Sequence, residues 1–327
     1  MQYAIYHPAK KTFWQGRKSN PNIENQYWHQ EIELLNIENV NTISNIDIAI
    51  LGYVCDEGVR RNSGRIGAQK GPKVIRERLA KLPIHFTQKK VADIGDIICL
   101  EDDMEACQNL FSKHITHLIQ NKVLPIAIGG GHDIAYGHFK GIWNAVKTDN
   151  KQIGIINFDA HFDLRPVEKK SNSGTPFHQI IAEYSENVSY FAIGIQQQSN
   201  TKELFEIAKN NSRIDYAINY DCESSNKELD ALKKRLILFI ENVDYVYLTI
   251  DMDGFSSAYA PGVSAPSPLG FTPYFVFKML SFILKSNKVI SLDIAELNPS
   301  LDRDNLTANL AAKIIDFVVM NYIRHRF

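Results

Sequence analysis

The sequence predicts an α/β protein built on a mostly parallel sheet with helices on both faces, and three observations support that class. From about residue 46 onward, short apolar runs alternate with longer stretches of helical period. Most of the runs are continuously apolar rather than alternating, as strands buried on both faces require. Chemically active polar residues gather immediately after the runs, where such sheets bind ligands outside the carboxyl ends of their strands.

In chain order, the predicted strands are Asp47–Tyr53, Leu124–Gly129, Gln152–Phe158, Ser189–Ile195, Tyr245–Ile250 and Val289–Ile294. The predicted helices are Pro72–Lys81, Asp102–Gln120, Thr201–Lys209, Lys227–Glu241, Thr272–Leu284 and Leu306–Arg324. Pro72 follows Gly71 and suits a first helical turn, because proline has no N–H to lose there. No Pro/Ser-rich linker, charge block or internal repeat divides the chain, so residues 1–327 are expected to form one domain, with 1–45 an irregular N-terminal extension.

With 44% hydrophobic residues the chain can bury a substantial core. A net charge of −1 gives no general attraction to phosphate backbones or anionic lipid, so any anion must be held by a local group of cations, and neither nucleic acid nor membrane is an expected partner. The opening residues lack a basic stretch followed by an apolar one, and nothing approaches the roughly 18 apolar residues of a spanning helix. A cytoplasmic protein is therefore expected. Cys55, Cys99, Cys107 and Cys222 are scattered without a CxxC pair, which indicates neither a disulfide framework nor a zinc ribbon.

The segment Asn157-Phe-Asp159-Ala-His161-Phe-Asp163 leaves an apolar run and presents Asp, His and Asp at alternate positions. In extended backbone, residues two apart point the same way, so all three can face one point. Leu248-Thr-Ile-Asp251-Met-Asp253 repeats the device with two carboxylates. Carboxylates held this close repel and raise one another's pKa, and a divalent cation removes that penalty. A single Asp at a strand end is more commonly a cap, but two such motifs, with His132 after a third strand, make coincidence a poor account. Four carboxylates and two imidazoles form an oxygen-rich set that suits manganese better than zinc thiolate chemistry, and they are too many for one ion. Two ions roughly 3.5–4 Å apart can hold a hydroxide between them and polarise an electrophile. The run Gly129-Gly-Gly131 fits a tight turn or an anion loop, but lacks the spacing of either common nucleotide-binding motif.

These residues resemble the ureohydrolase family, which contains arginase, agmatinase and formiminoglutamase. The resemblance runs from about residue 46 to the C-terminus, on Gly129-Gly-Gly-His132-Asp133, Asp159-Ala-His-Phe-Asp163, Thr249-Ile-Asp251-Met-Asp253 and Asp293-Ile-Ala-Glu296-Leu-Asn-Pro299. It implies a three-layer α/β/α fold with a central, mostly parallel sheet of about eight strands and two Mn2+ at its carboxyl edge. It further implies that His132, Asp159, Asp163 and Asp251 hold one ion and that His161, Asp159, Asp251 and Asp253 hold the other, with Asp159 and Asp251 bridging. Glu296 matches the acidic residue that holds amidine or guanidine nitrogens, and Asp163 is the candidate to carry a proton to the leaving amine. Homo-oligomers are usual in the family and are expected here.

The flanking residues resemble the formiminoglutamase subgroup: the stretch from Asp56 through Arg61, Asn62 and Arg65 to Gly67, then Asp159 to Pro166, Ser173-Gly-Thr-Pro-Phe177 and Ala260 to Pro266. The implied reaction converts N-formimino-L-glutamate and water to L-glutamate and formamide, by attack of a metal-bridging hydroxide on the formimino carbon. That substrate carries two carboxylates, for which arginine is the best-shaped partner. Arg61, Arg65 and Arg165, with Asn62 and Ser173, are accordingly the candidate substrate-binding residues. Arginases and agmatinases carry a histidine where this chain has Ser173, which puts a histidine proton relay in doubt. His178 is read as a helix-surface residue, as are His114 and His117 at helical spacing. Arginase or agmatinase activity on the same metal chemistry is the nearest rival reading, and a catalytically silent metal-binding scaffold is one of another class. A one-ion zinc deacylase would use fewer ligands.

Overall fold

The computed structural model describes residues 3–323 except for 18, 19, 21, 24, 39–42, 44, 150 and 223–225. Its strands are β1 (Ala4–His7), β2 (Glu33–Leu34), β3 (Ile48–Val54), β4 (Val91–Cys99), β5 (Leu124–Ile128), β6 (Ile153–Phe158), β7 (Val188–Ile195), β8 (Ile214–Ile218), β9 (Tyr245–Asp251) and β10 (Val289–Ala295). They form one ten-stranded sheet in the order β1-β4-β3-β5-β10-β9-β6-β7-β8, with β2 also paired to β4. Every pairing is parallel except that of β1 with β4.

The helices are α1 (Trp28–Glu31), α2 (Glu57–Arg61), α3 (Gly71–Leu79), α4 (Met104–Gln120), α5 (Ile134–Val146), α6 (Pro176–Glu183), α7 (Lys202–Lys209), α8 (Asn226–Glu241), α9 (Pro273–Leu284) and α10 (Leu306–Asn321). Strand residues alternate between two apolar cores, so Ile48 and Ile50 join one while Ala49, Leu51 and Tyr53 join the other. The first core is closed by α3, α8, α9 and α10, the second by α4 to α7. The result is a helix–sheet–helix sandwich, as the alternating pattern predicts.

The described residues before residue 46 are less irregular than expected. β1 adds an antiparallel edge to β4 and β2 pairs it in parallel. Two buried tryptophans fasten the segment: Trp14 Nε1 donates to Asp93 Oδ2 at 2.7 Å and Trp28 Nε1 to Asp316 Oδ1 at 2.7 Å. The final helix stops at Asn321 rather than Arg324, and Arg324 lies outside the described residues.

β4 has no counterpart among the predicted strands because Asp93, Gly95 and Asp96 interrupt its apolar character. Arg76 of α3 makes the burial of these acids possible. It donates Nε and Nη2 to the two oxygens of Asp93, each at 2.8 Å, and Nη1 to Asp96 at 2.6 Å. A buried ion pair of this kind is tolerated only when its hydrogen bonds are satisfied. α5, α6 and β8 also escaped the periodicity; each is short or rich in Gly, His, Asp and Tyr.

Candidate metal centre

Four adjacent strands in the middle of the sheet, β5, β10, β9 and β6, end side by side. Ile128 pairs with Ile294, Ala295 with Asp251, and Phe158 with Ile250, so the carboxyl ends lie level. His132 follows β5, Glu296 follows β10, Asp251 ends β9 with Asp253 beyond it, and Asp159, His161 and Asp163 follow β6. Residues more than 160 positions apart thus reach one place because the parallel register puts them there.

The Gly129–Gly131 loop allows His132 this position. A Cβ on Gly130 would stand 1.6 Å from the Cys55 carbonyl oxygen, so only glycine fits. The same carbonyl accepts the Gly131 N–H at 3.0 Å, and Gly130 accepts the Glu296 N–H at 2.9 Å. Asp163 and Glu296 adopt left-handed backbone, with φ of 48° and 68°, a conformation that is costly outside glycine and concentrates at functional sites.

His132 Nδ1 lies 3.1 Å from Asp159 Oδ2, 3.0 Å from Asp163 Oδ2 and 3.1 Å from Asp251 Oδ2. The tautomer follows from the other side of the ring. Thr249 Oγ1 donates to Asp293 Oδ1 at 2.6 Å, so it accepts from His132 Nε2–H at 2.9 Å, which leaves Nδ1 with a free lone pair. Asp293 is itself held by His138 Nδ1 at 2.5 Å and by the Tyr247 hydroxyl. Nδ1 is buried without a hydrogen-bond partner, and so is Asp253 Oδ1. A lone pair facing three carboxylate oxygens is repulsive unless a cation lies between them.

A second group stands beside the first. His161 Nδ1 is 3.4 Å from Asp159 Oδ1 and 3.3 Å from Asp253 Oδ2. Asp159 therefore offers one oxygen to each group, the geometry of a bridging carboxylate. Asp251 stands in the first group through Oδ2, while its Oδ1 accepts the Asp253 N–H at 2.7 Å. Asp159 Oδ1 accepts the His161 N–H in the same way, at 2.7 Å.

The electrostatics are those of a site short of positive charge. Burial pushes Asp251 well above the ordinary carboxylate range, and the charges of Asp253 and Asp159 push it further. Asp163 and Asp253 are also raised, chiefly by burial. Burial opposes ionisation of Asp159 too, but the close approach of the His132 and His161 imidazoles brings it below its usual value. Burial also opposes the imidazolium of His132, yet with no metal ion between them its three carboxylates draw a proton onto the ring, the place a cation would otherwise take, and raise it well above normal. Glu296 is pushed up to about 8 by burial first and by Asp253 next. Divalent cations would stabilise all of these carboxylates in the charged form, and the oxygen-rich donor set with two imidazoles suits Mn2+.

The cluster floors a cavity of about 470 Å³. Glu296 lines it, with Oε1 accepting the His132 N–H at 2.8 Å. Of the candidate substrate residues, Asn62, Arg65, Arg165 and Ser173 form its wall. The Arg165 guanidinium donates to Asn62 Oδ1, and Asn62 Nδ2 donates to Ser173 Oγ at 2.9 Å. Arg65 is held by the Ser264 and Val263 carbonyls, each at 2.9 Å.

Arg61 is a correction, for it does not line the cavity. Its guanidinium is committed to Glu57 at 2.7 Å, to Glu105 at 2.5 Å and to the Ser171 carbonyl at 3.2 Å, so it ties α2 to the start of α4. His114 also differs from its reading, because its ring stacks on Tyr6 at 5.3 Å instead of lying free on a helix face. Ser199, Asn200 and Thr201, between β7 and α7, line the cavity and were not anticipated, since nothing distinguishes them from ordinary loop residues. Their place directly after a predicted strand was the one available signal.

The Arginase family profile matches residues 46–320. A formimidoylglutamase of Clostridium tetani is 43% identical over 96% of this chain and 95% of its own, and one from Legionella pneumophila is 42% identical over 95% and 96%. Among solved structures, the Trypanosoma cruzi formiminoglutamase N114H variant with Mn2+ superposes with a TM-score of 0.77 at 25% identity, covering 86% of this chain and 95% of the other. The Bacillus subtilis formimidoylglutamase superposes with a TM-score of 0.76 at 22% identity, covering 84% and 87%, a likeness of fold. With sequence, fold and carboxylate cluster in agreement, the chain belongs to the arginase family and is a hydrolase of carbon–nitrogen bonds.

Proposed function

We propose that this hydrolase converts N-formimino-L-glutamate and water to L-glutamate and formamide, with two Mn2+ as cofactor. The observation that carries the reading is the cavity itself, which has a carboxylate–imidazole floor and two guanidinium groups, Arg65 and Arg165, in its wall. An amidine that bears two carboxylates needs both ends. The near full-length similarity to proteins named formimidoylglutamase supports the same substrate.

In this reading His132, Asp159, Asp163 and Asp251 would hold one ion, and His161, Asp159, Asp251 and Asp253 would hold the other. Two ions bound there would supply a water of lowered pKa and polarise the electrophile. The residues of the chain do the rest. Glu296 accepts the formimino N–H groups and turns the carbon toward the cluster, while its Oε1 stays fixed by the His132 amide. Arg65 and Arg165 hold the substrate's carboxylates and leave the reacting end over the floor. The C–N bond to the glutamate nitrogen breaks only if that nitrogen is protonated, because a neutral amine leaves and an amide anion does not. Asp163 has one oxygen toward His132 and a second to carry that proton. The water oxygen ends in formamide, and the glutamate nitrogen leaves as an amine.

The test is turnover by the manganese-loaded and chelator-stripped protein on formiminoglutamate, arginine and agmatine in parallel. Metal-dependent formamide release from formiminoglutamate alone is expected. Urea from arginine or agmatine would overturn the substrate and keep the chemistry, and an Asp163→Asn protein with full metal and full turnover would remove Asp163 from proton transfer.

A further inference from the structure

On the face of the sheet covered by α4 and α5, behind the loop that carries His132, three thiols converge. Cys55 follows β3, Cys99 ends β4, and Cys107 lies in the first turn of α4. β3 and β4 are parallel neighbours with Val54 opposite Ile98, so Cys55 and Cys99 leave the sheet side by side. The three sulfurs lie within 4.8 Å of one another, and all are free. Cys55 and Cys107 are buried, whereas Cys99 is half-buried and gives the group a route to solvent.

Apolar packing explains the burial of each thiol taken singly. It does not explain why three of the chain's four cysteines, from three separate elements, point their sulfurs at one spot. Thiolates bound about 2.3 Å from one ion stand roughly 3.8 Å apart, so the observed spacing needs closing by less than about 1 Å. Three thiolates are soft donors, unlike the carboxylates and imidazoles of the cluster described above.

We propose that Cys55, Cys99 and Cys107 form a separate metal site for a soft d10 cation, Cu+ or Zn2+. The thiol protons are released to solvent on binding. Cu+ is satisfied by the three sulfurs, whereas Zn2+ takes a fourth ligand, a water entering beside Cys99. Occupancy also reaches the hydrolytic site, because Cys55 supplies the carbonyl that receives the Gly131 N–H and packs against Gly130. Drawing Cys55 toward the ion shifts the loop that carries His132.

The experiment uses the manganese-loaded protein, titrated with Cu+ in the absence of oxygen and separately with Zn2+. Bound metal, the thiolate charge-transfer absorption and turnover are followed together. About one further equivalent of Cu+ or Zn2+ is expected without loss of manganese, with the absorption band and a fall in turnover. The band should persist in Cys222→Ser and vanish in both Cys99→Ser and Cys107→Ser. The half-buried Cys99 tolerates the change, so a folding defect in Cys107→Ser, seen by circular dichroism, does not decide the matter. Uptake matched by manganese release, or a band unchanged in Cys99→Ser, would overturn the proposal. A band with Cu+ alone assigns a three-coordinate site, and a band with both ions assigns one completed by water.

Discussion

One nitrogen of His132 faces three carboxylates and the other faces a hydroxyl, so the direction of its lone pair depends on Thr249 and Asp293. Replacing Thr249 with valine keeps the shape but removes both hydrogen bonds. Manganese affinity, measured by competition with a chelator, should fall by about 10- to 100-fold, the usual cost of losing a ligand's supporting partner. Equal affinity would mean that packing alone orients the ring. Glu296→Gln isolates a different role, because the amide can still accept the His132 N–H. Metal content should be unchanged while kcat/KM falls by about 100-fold, roughly 2.7 kcal/mol of lost transition-state stabilisation. At this scale the sequence was most informative where chemistry is unusual. The Asp-x-His-x-Asp and Asp-x-Asp patterns marked residues that the structure does bring together. Arg61 shows the converse, since charge alone cannot tell a substrate cation from a structural one. Its partner Glu57 four residues earlier was visible as a helical pair, but Glu105 needed the fold.

Elements are held in register by polar contacts that hydropathy cannot see. β4 escaped detection because two aspartates sit in it, and they are buried only because Arg76 reaches across from α3. Arg76→Met should therefore lower stability by about 3–5 kcal/mol, as a drop in denaturation midpoint, since it leaves two buried carboxylates without their cation. Arg76→Met paired with Asp93→Leu and Asp96→Leu should recover much of that loss. No recovery would place the importance of Arg76 elsewhere. The strands that did announce themselves, β3, β5, β6, β7, β9 and β10, are the ones whose two faces are both apolar. Gly130→Ala tests the loop between β5 and α5, where the added methyl group meets the Cys55 carbonyl. Weaker manganese binding is expected with secondary structure retained, read by chelator competition beside circular dichroism.

For the molecule as a whole, the cluster is a concentration of buried negative charge that the fold tolerates poorly on its own. Ligands that bind only the folded state stabilise it by mass action, about 2.7 kcal/mol at a hundredfold excess over Kd. Manganese should raise the melting temperature and a chelator should lower it, and the difference should disappear in Asp159→Asn, where the shared carboxylate is lost. An unchanged shift in that variant would locate the stabilising ion at another site. The strand order has one more implication, for synthesis. β10 follows every other strand in the chain, yet it lies between β5 and β9 at the centre of the sheet. Until residues 289–295 leave the ribosome, the nascent protein is two half-sheets with two long apolar edges open to any passing strand. Premature termination before this point should yield insoluble fragments, and the growing chain has reason to depend on a chaperone until its last strand closes the gap.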